Sequence, residues 1–170
     1  MSRSGYTDDD DIWAMIRWRG AVTSAIRGKR GQQALREMLA ALDALPEKRL
    51  AAVADVALAS DDGEPCALGA LGKARGMDIE SIHLQERVDV ARAFGIAEAL
   101  AAEIMYENDE CLDEYTAIDV DIEGPMRPWE RHRQLRRILN ENAGRRRWGY
   151  MREWVASNIV GTPTDGKEKA

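Results

Sequence analysis

Residues 12–45 read IWAMIRWRGAVTSAIRGKRGQQALREMLAALDAL. Ile12, Met15, Ile16, Val22 and Ile26 recur at helical spacing, and so do Leu35, Met38, Leu39, Leu42 and Leu45. Between the two runs lies Arg27-Gly28-Lys29-Arg30-Gly31, which reads as a tight basic turn with the second helix starting just after Gly31. Leu45-Pro46 ends that helix, because the residue before a proline avoids the helical region. Two helices in a hairpin decide the fold class: mostly α, a single compact helical domain with an N-terminal helical hairpin and room for one short β segment or hairpin. Just upstream, Thr7 followed by Asp8, Asp9, Asp10 and Asp11 reads as the cap and acidic first turn of the first helix.

The rest of the chain is parsed outward from this hairpin. Pro46 is expected to open a third helix on Leu50, Val53, Ala54, Ala57 and Leu58, with a strand as the competing reading. The segment from Cys66 to Arg75 is rich in small residues that permit close helix packing, with Gly76 as its stop. Further helices run through Val88, Ala91 and Phe94 to Gly95, and through Leu100 and Ile104. Ile118, Val120 and Ile122 alternate with acidic residues, which predicts a short extended segment. Pro128 is expected to begin a helix through Leu135, Ile138 and Leu139 that Gly144 ends, and a last helix carries Trp148, Met151, Val155 and Ile159. One domain over 1–160 and a disordered polar tail over 161–170 follow from a chain of 170 residues, 45% of them hydrophobic.

No apolar run approaches the roughly 18 residues of a membrane span, and no apolar signal core stands near Met1. A cytoplasmic location without membrane association is therefore expected. Cys66 and Cys111 form neither a CxxC nor a zinc spacing, so a buried thiol and a loop thiol in a reducing compartment are expected. The net charge of −6 argues against a wholly basic nucleic-acid coat. It conceals blocks, however. Residues 12–36 hold Arg17, Arg19, Arg27, Lys29, Arg30 and Arg36 and no acid, residues 98–124 hold ten carboxylates and no base, and residues 125–152 hold nine arginines against two glutamates. Such blocks either pair inside the fold or are left for a partner.

Three constellations follow. Arg17, Arg27, Lys29, Arg30 and Arg36, joined by Arg133 and Arg137 of the second basic block, are candidates for binding nucleic acid or phosphate. Their charge suits a nucleic-acid backbone, the helix start offers N–H groups, and two glycines would let a phosphate approach. Trp13 and Trp18 nearby could stack on an unpaired base. A solvated turn with capping glycines is the plainer alternative, and for the second block internal pairing with the acidic block is. Glu103, Glu107, Asp109, Glu110 and Asp113 form the second constellation, a candidate acidic surface for a basic partner. A metal role there lacks its pattern, since neither the ExxE…ExxD pairs of helical nucleotide pyrophosphohydrolases nor an EF-hand loop is present. The third, a cysteine–histidine pair drawn from Cys66, Cys111, His83 and His132, has no supporting spacing. No catalytic residue, metal or cofactor is assigned.

The runs Ser4-Gly5-Tyr6, Ile16-Arg17-Trp18-Arg19-Gly20-Ala21-Val22, Ser24-Ala25-Ile26-Arg27-Gly28-Lys29-Arg30-Gly31-Gln32 and Leu45-Pro46-Glu47-Lys48-Arg49-Leu50 resemble a group of small phage and prophage proteins of unknown function. Cys66-Ala67-Leu68-Gly69-Ala70-Leu71, Phe94-Gly95-Ile96-Ala97, Tyr106-Glu107-Asn108-Asp109-Glu110 and Trp148-Gly149-Tyr150-Met151-Arg152-Glu153-Trp154-Val155 continue the resemblance, while 111–147 stand outside it. It implies a phage-encoded protein in a host bacterial cytoplasm and carries no activity. The expected function is non-enzymatic binding of nucleic acid by a phage accessory protein. The alternative is a modulator of a host defence or replication protein acting through the acidic 103–123 surface. A homo-oligomer is left open.

Overall fold

The computed structural model describes residues 12–53, 63–84, 86–110, 115–121, 133–139 and 142–161. The expected Thr7 cap, the 54–58 part of the third helix and the 162–170 tail lie outside them. The described chain is mostly helical. Helix α1 (Ile12–Arg27) is followed by α2 (Lys29–Ala44), α3 (Ala67–Ala74), α4 (Arg87–Phe94), α5 (Glu98–Asp109), strands β1 (Tyr115–Asp121) and β2 (Arg133–Leu139), and α6 (Ala143–Asn158).

The break between α1 and α2 is shorter than the expected five-residue turn. Gly28 alone leaves the helical region, with ψ 151°, and α2 restarts at Lys29. Gly31 therefore lies inside the first turn of α2 rather than before it. It is the point where the helices touch: a Cβ there would stand 2.0 Å from the Ala25 carbonyl oxygen. The buried Gln32 amide secures the corner. Its Nε2 donates to Ile26 O at 2.9 Å and to Asn158 O at 2.8 Å, and its oxygen accepts from Val160 N–H at 2.8 Å. One side chain thus satisfies carbonyls near the ends of both α1 and α6. At its far end α2 stops where expected, Leu45 being extended (ψ 127°) before Pro46.

The third helix does not form over 46–52. Lys48 adopts a positive φ of 50°, which interrupts any helix there. The backbone groups beyond it are taken by distant partners instead. Leu50 N–H donates to Gly144 O, Ala51 N–H to Pro65 O and Val53 N–H to Asp109 Oδ1. Leu50 and Val53 are buried as expected, Leu50 from an irregular segment and Val53 from a residue in helical conformation. Cys66 caps α3 by accepting the Gly69 N–H, and Gly72 lets Ile79 close on the helix, since a Cβ there would meet Ile79 Cδ1 at 1.8 Å. Gly76 and Gly95 follow α3 and α4 in the left-handed region expected of them, at φ 67° and 66°.

The period-two segment is strand β1, and its partner corrects the sequence reading. The helix expected from Pro128 through Leu139 is, over its described part, strand β2, which pairs antiparallel with β1 in the register Tyr115↔Leu139 to Asp121↔Arg133. Leu135, Ile138 and Leu139 fit a helical spacing, and a helix favours no partner over another. Ladder pairing with β1 satisfies the same backbone groups from outside, which local periodicity does not register. Gly144 likewise ends no helix. It is buried in the first turn of α6, where a Cβ would come within 3.2 Å of Leu50 O.

The core is one hydrophobic cluster. Leu35, Met38 and Leu42 of α2, Leu68 and Leu71 of α3, Val90 and Phe94 of α4, Leu100 and Ile104 of α5, and Met151 and Val155 of α6 all join it. Helix α1 contributes less than its pattern suggests. Ala14 and Val22 are its buried residues, whereas Ile12, Met15 and Ile16 are exposed. The line through Ala14 and Val22 faces inward, and three of the five residues of the apolar stripe face out. No helix among the described residues is long and apolar enough to cross a membrane.

Candidate nucleic-acid interface

The first basic block lies on the outside of the α1–α2 corner. Arg17, Arg19, Arg27, Lys29, Arg30 and Arg36 are all exposed. Arg17 and Arg19 belong to α1, Arg27 closes it, Lys29 and Arg30 open α2, and Arg36 stands about two turns further along. Arg36 reaches the Val160 carbonyl at 3.2 Å. Among the described residues no carboxylate forms an ion pair with any of the six; the pairs found there are Arg49–Glu64, Arg75–Glu37, Arg87–Glu98, Arg92–Asp89 and Arg152–Asp43. The positive charge of this corner is therefore not neutralised by the described part of the fold. Gly28 caps α2, and Gly31 is filled by the Ala25 carbonyl and offers no room to a phosphate.

The second basic block is divided. Arg133 and Arg137 sit on β2, in register with Asp121 and Ala117, and not on a helix. Arg145 and Arg146 are exposed at the start of α6. Arg147 is buried, donating from Nε to Asn108 O at 2.8 Å and from Nη1 to Leu50 O at 3.0 Å. Arg152 makes a two-point contact with Asp43, which raises its already high pKa. Part of this block thus pairs internally, with backbone carbonyls as much as with carboxylates.

Of the expected acidic surface, the described carboxylates are mostly turned inward. Glu103 and Glu107 are each 5% exposed, and Asp109 is half-buried. Tyr150 of α6 donates its hydroxyl to Glu107, and Asp109 Oδ1 accepts from Val53 N–H and from the Asn108 amide at 2.7 Å each. The buried Asn108 in turn accepts from Ala67 N–H at 3.1 Å and donates to Ala51 O at 3.0 Å. Asn108 and Asp109 face inward because the irregular 48–52 segment, which leads into Val53, has no ladder or helix of its own. Its backbone polar groups need partners, and the end of α5 supplies them. Glu110 is the exposed member, and Asp113 lies outside the described residues. No group of three or more His, Cys, Asp or Glu side chains among the described residues is arranged to hold a metal ion.

Two further features were open from the sequence. Cys66 is the buried thiol expected of it, and burial pushes its pKa up to about 11, so at neutral pH it is a poor nucleophile. Cys111 and His132 lie outside the described residues. A cleft of about 550 Å³ between α2 and α3 is lined by Glu37, Ala40, Ala41, Ala44, Leu71, Ala74 and Arg75. Glu37 and Arg75 satisfy each other at its edge, at 2.6 Å, and Gln33 together with Arg75 holds the Glu37 carboxyl below its usual range.

The tryptophans separate in the structure. Trp148 and Trp154 pack against the core, and Trp148 Nε1 donates to Leu42 O at 2.9 Å. Trp18 is half-buried with the Arg87 guanidinium 6.0 Å from its ring centre. Trp13 is 64% exposed. The sequence signal that distinguishes them is the small-residue side of α1. Ala14, Trp18, Val22 and Ala25 follow one helical line, and that line is turned inward while Ile12, Met15 and Ile16 of the apolar stripe are exposed. Comparison of the chain with protein-family models, with curated proteins and with solved structures finds no match.

Proposed function

We propose that this protein binds nucleic acid without catalysing a reaction, through the α1–α2 corner. The observation that carries the reading is the exposure of Arg17, Arg27, Lys29, Arg30 and Arg36 with no described carboxylate paired to them. Cations that a fold leaves in solvent on one side are suited to a polyanion, and a chain of net charge −6 concentrates its favourable field there. Setting in a phage accessory role is the part of the proposal that rests on the resemblance of residues 16–32 and 45–50. The acidic-surface alternative has less support, since Glu103 and Glu107 are buried.

The test is a mobility-shift or anisotropy titration over a salt series. Four phosphate contacts from Arg17, Arg27, Lys29 and Arg30 predict that log K falls with log salt at a slope of about −3 to −4. Arg27→Glu, Lys29→Glu and Arg30→Glu combined should abolish binding, and Arg145→Glu with Arg146→Glu should weaken it little. Absent binding, or binding insensitive to salt, overturns the proposal.

A further inference from the structure

We infer that the ligand of this corner is a single-stranded nucleic acid, with Trp13 as the platform on which a base stacks; the inference rests on the nucleic-acid reading above. Trp13, Arg17, Gly20, Ser24 and Arg27 are spaced i, i+4, i+7, i+11 and i+14, so they share one line along α1. All five are exposed. At 1.5 Å per residue the line runs about 21 Å from Trp13 to Arg27, and beyond the Gly28 break it meets Lys29 and Arg30. Nothing lies within 4 Å of the position a Gly20 Cβ would take, so the middle of the line is open and without a side chain. Beside it, Ile12 is 70% and Ile16 is 52% exposed.

The line thus presents an aromatic ring and aliphatic side chains at one end and cations along the remainder. Each half alone has several explanations, and together they narrow the ligand. Exposed large apolar residues in a cluster mark a contact surface. Six bases and no acid in residues 12–36 favour an anionic occupant. A second copy of this chain is disfavoured on the same ground: symmetric packing of two such faces would set the arginines of one copy, Arg17 and Arg27, against those of the other. A duplex offers phosphates but keeps its base faces stacked inside. A single strand offers both, phosphates to the arginines and an unstacked base to the indole, and this combination of charge and aromatic platform is how strands are held without sequence preference.

The experiment measures anisotropy of a labelled oligothymidylate and of a duplex of equal length, with the wild type, Trp13→Ala, Trp13→Phe and the triple Arg27/Lys29/Arg30→Glu variant. Far-UV circular dichroism establishes that each variant is folded. The wild type is expected to prefer the single strand, Trp13→Ala to lose about tenfold or more in single-strand affinity with the duplex value unchanged, and Trp13→Phe to retain most of it. Equal affinity for the two forms, or a single-strand affinity indifferent to Trp13→Ala, overturns the single-strand assignment and leaves the electrostatic reading standing. Loss of both forms' binding from the outset overturns the electrostatic reading as well. Binding to anionic phosphatidylglycerol vesicles that depends on Trp13, with none to oligonucleotide, overturns the inference in favour of a lipid surface. A Trp13-dependent dimer does so in favour of a second copy.

Discussion

Cys66 shows how much one residue can reveal when its surroundings are known. It is fully buried, caps α3 through the Gly69 N–H, and burial raises its thiol from an ordinary 9.0 to about 11. The folded state therefore holds its proton more tightly than the unfolded one. The resulting stability is complete below the unfolded pKa near 9 and is lost as pH rises through about 11. A Cys111→Ser variant, which leaves Cys66 as the chain's one thiol, should resist a thiol-specific reagent at pH 8 until denaturant is added, and its urea midpoint should fall between pH 8.5 and 10.5 more steeply than that of Cys66→Ala. Rapid labelling of the native protein would refute the burial. This residue was legible in advance, since a free cysteine with no motif is most often a buried one. Glu103 and Glu107 were not. A run of carboxylates reads as solvated surface, and only the three-dimensional arrangement shows that Tyr150 and the end of α5 come together around them.

At the scale of elements, local signals succeeded where the determinant is local. Leu45-Pro46 ends α2, and Gly76 and Gly95 end α3 and α4, because proline sterics and left-handed backbone belong to single residues. They failed where another element decides. The segment over Arg133–Leu139 takes its form from β1, and 46–52 is kept irregular by hydrogen bonds to Pro65, Asn108 and Gly144. The α1–α2 corner allows a direct test of such non-local constraint, because α1 and α2 hold two glycines in opposite circumstances. Gly31→Ala places a Cβ 2.0 Å from the Ala25 carbonyl oxygen, a backbone atom that cannot rotate aside, so the corner must open. A loss of about 1–3 kcal/mol is expected, the usual cost of overpacking. Gly20→Ala meets nothing within 4 Å in the middle of an exposed helix and should gain roughly 0.5–1 kcal/mol, by relieving the entropy cost of a helical glycine. Urea unfolding of the two variants should shift the midpoint in opposite directions. Equal shifts would mean that the contact between Gly31 and Ala25 is not what fixes the corner.

Across the whole molecule, the last helix joins parts of the chain that are far apart in sequence. Trp148 donates to Leu42 O, Arg152 pairs with Asp43, Arg147 reaches Leu50 O and Asn108 O, and Asn158 O receives the Gln32 amide. Helix α6 therefore contacts both ends of α2 and the end of α5, while Met151 and Val155 fill the core between them. Two consequences follow. The basic corner is carried on a frame closed by α6, so its geometry depends on residues more than a hundred positions away. The frame should also come apart as a unit, because loss of α6 uncovers the core side of α2 and orphans the Leu50 and Asn108 carbonyls together. Arg147→Met keeps the length and apolar stem of the side chain but removes its donors from two buried carbonyls, each of which costs about 1–3 kcal/mol when left unsatisfied. Such a variant should lose several kcal/mol in urea, yet its tryptophan fluorescence and circular dichroism transitions should still coincide, as two-state behaviour requires. If the two probes separate, with fluorescence changing first, then α6 is a detachable clasp and the α1–α5 frame holds without it. If they coincide, the corner and its clasp are one cooperative structure, and any substitution that loosens α6 should weaken polyanion binding in proportion to the unfolded fraction and no further.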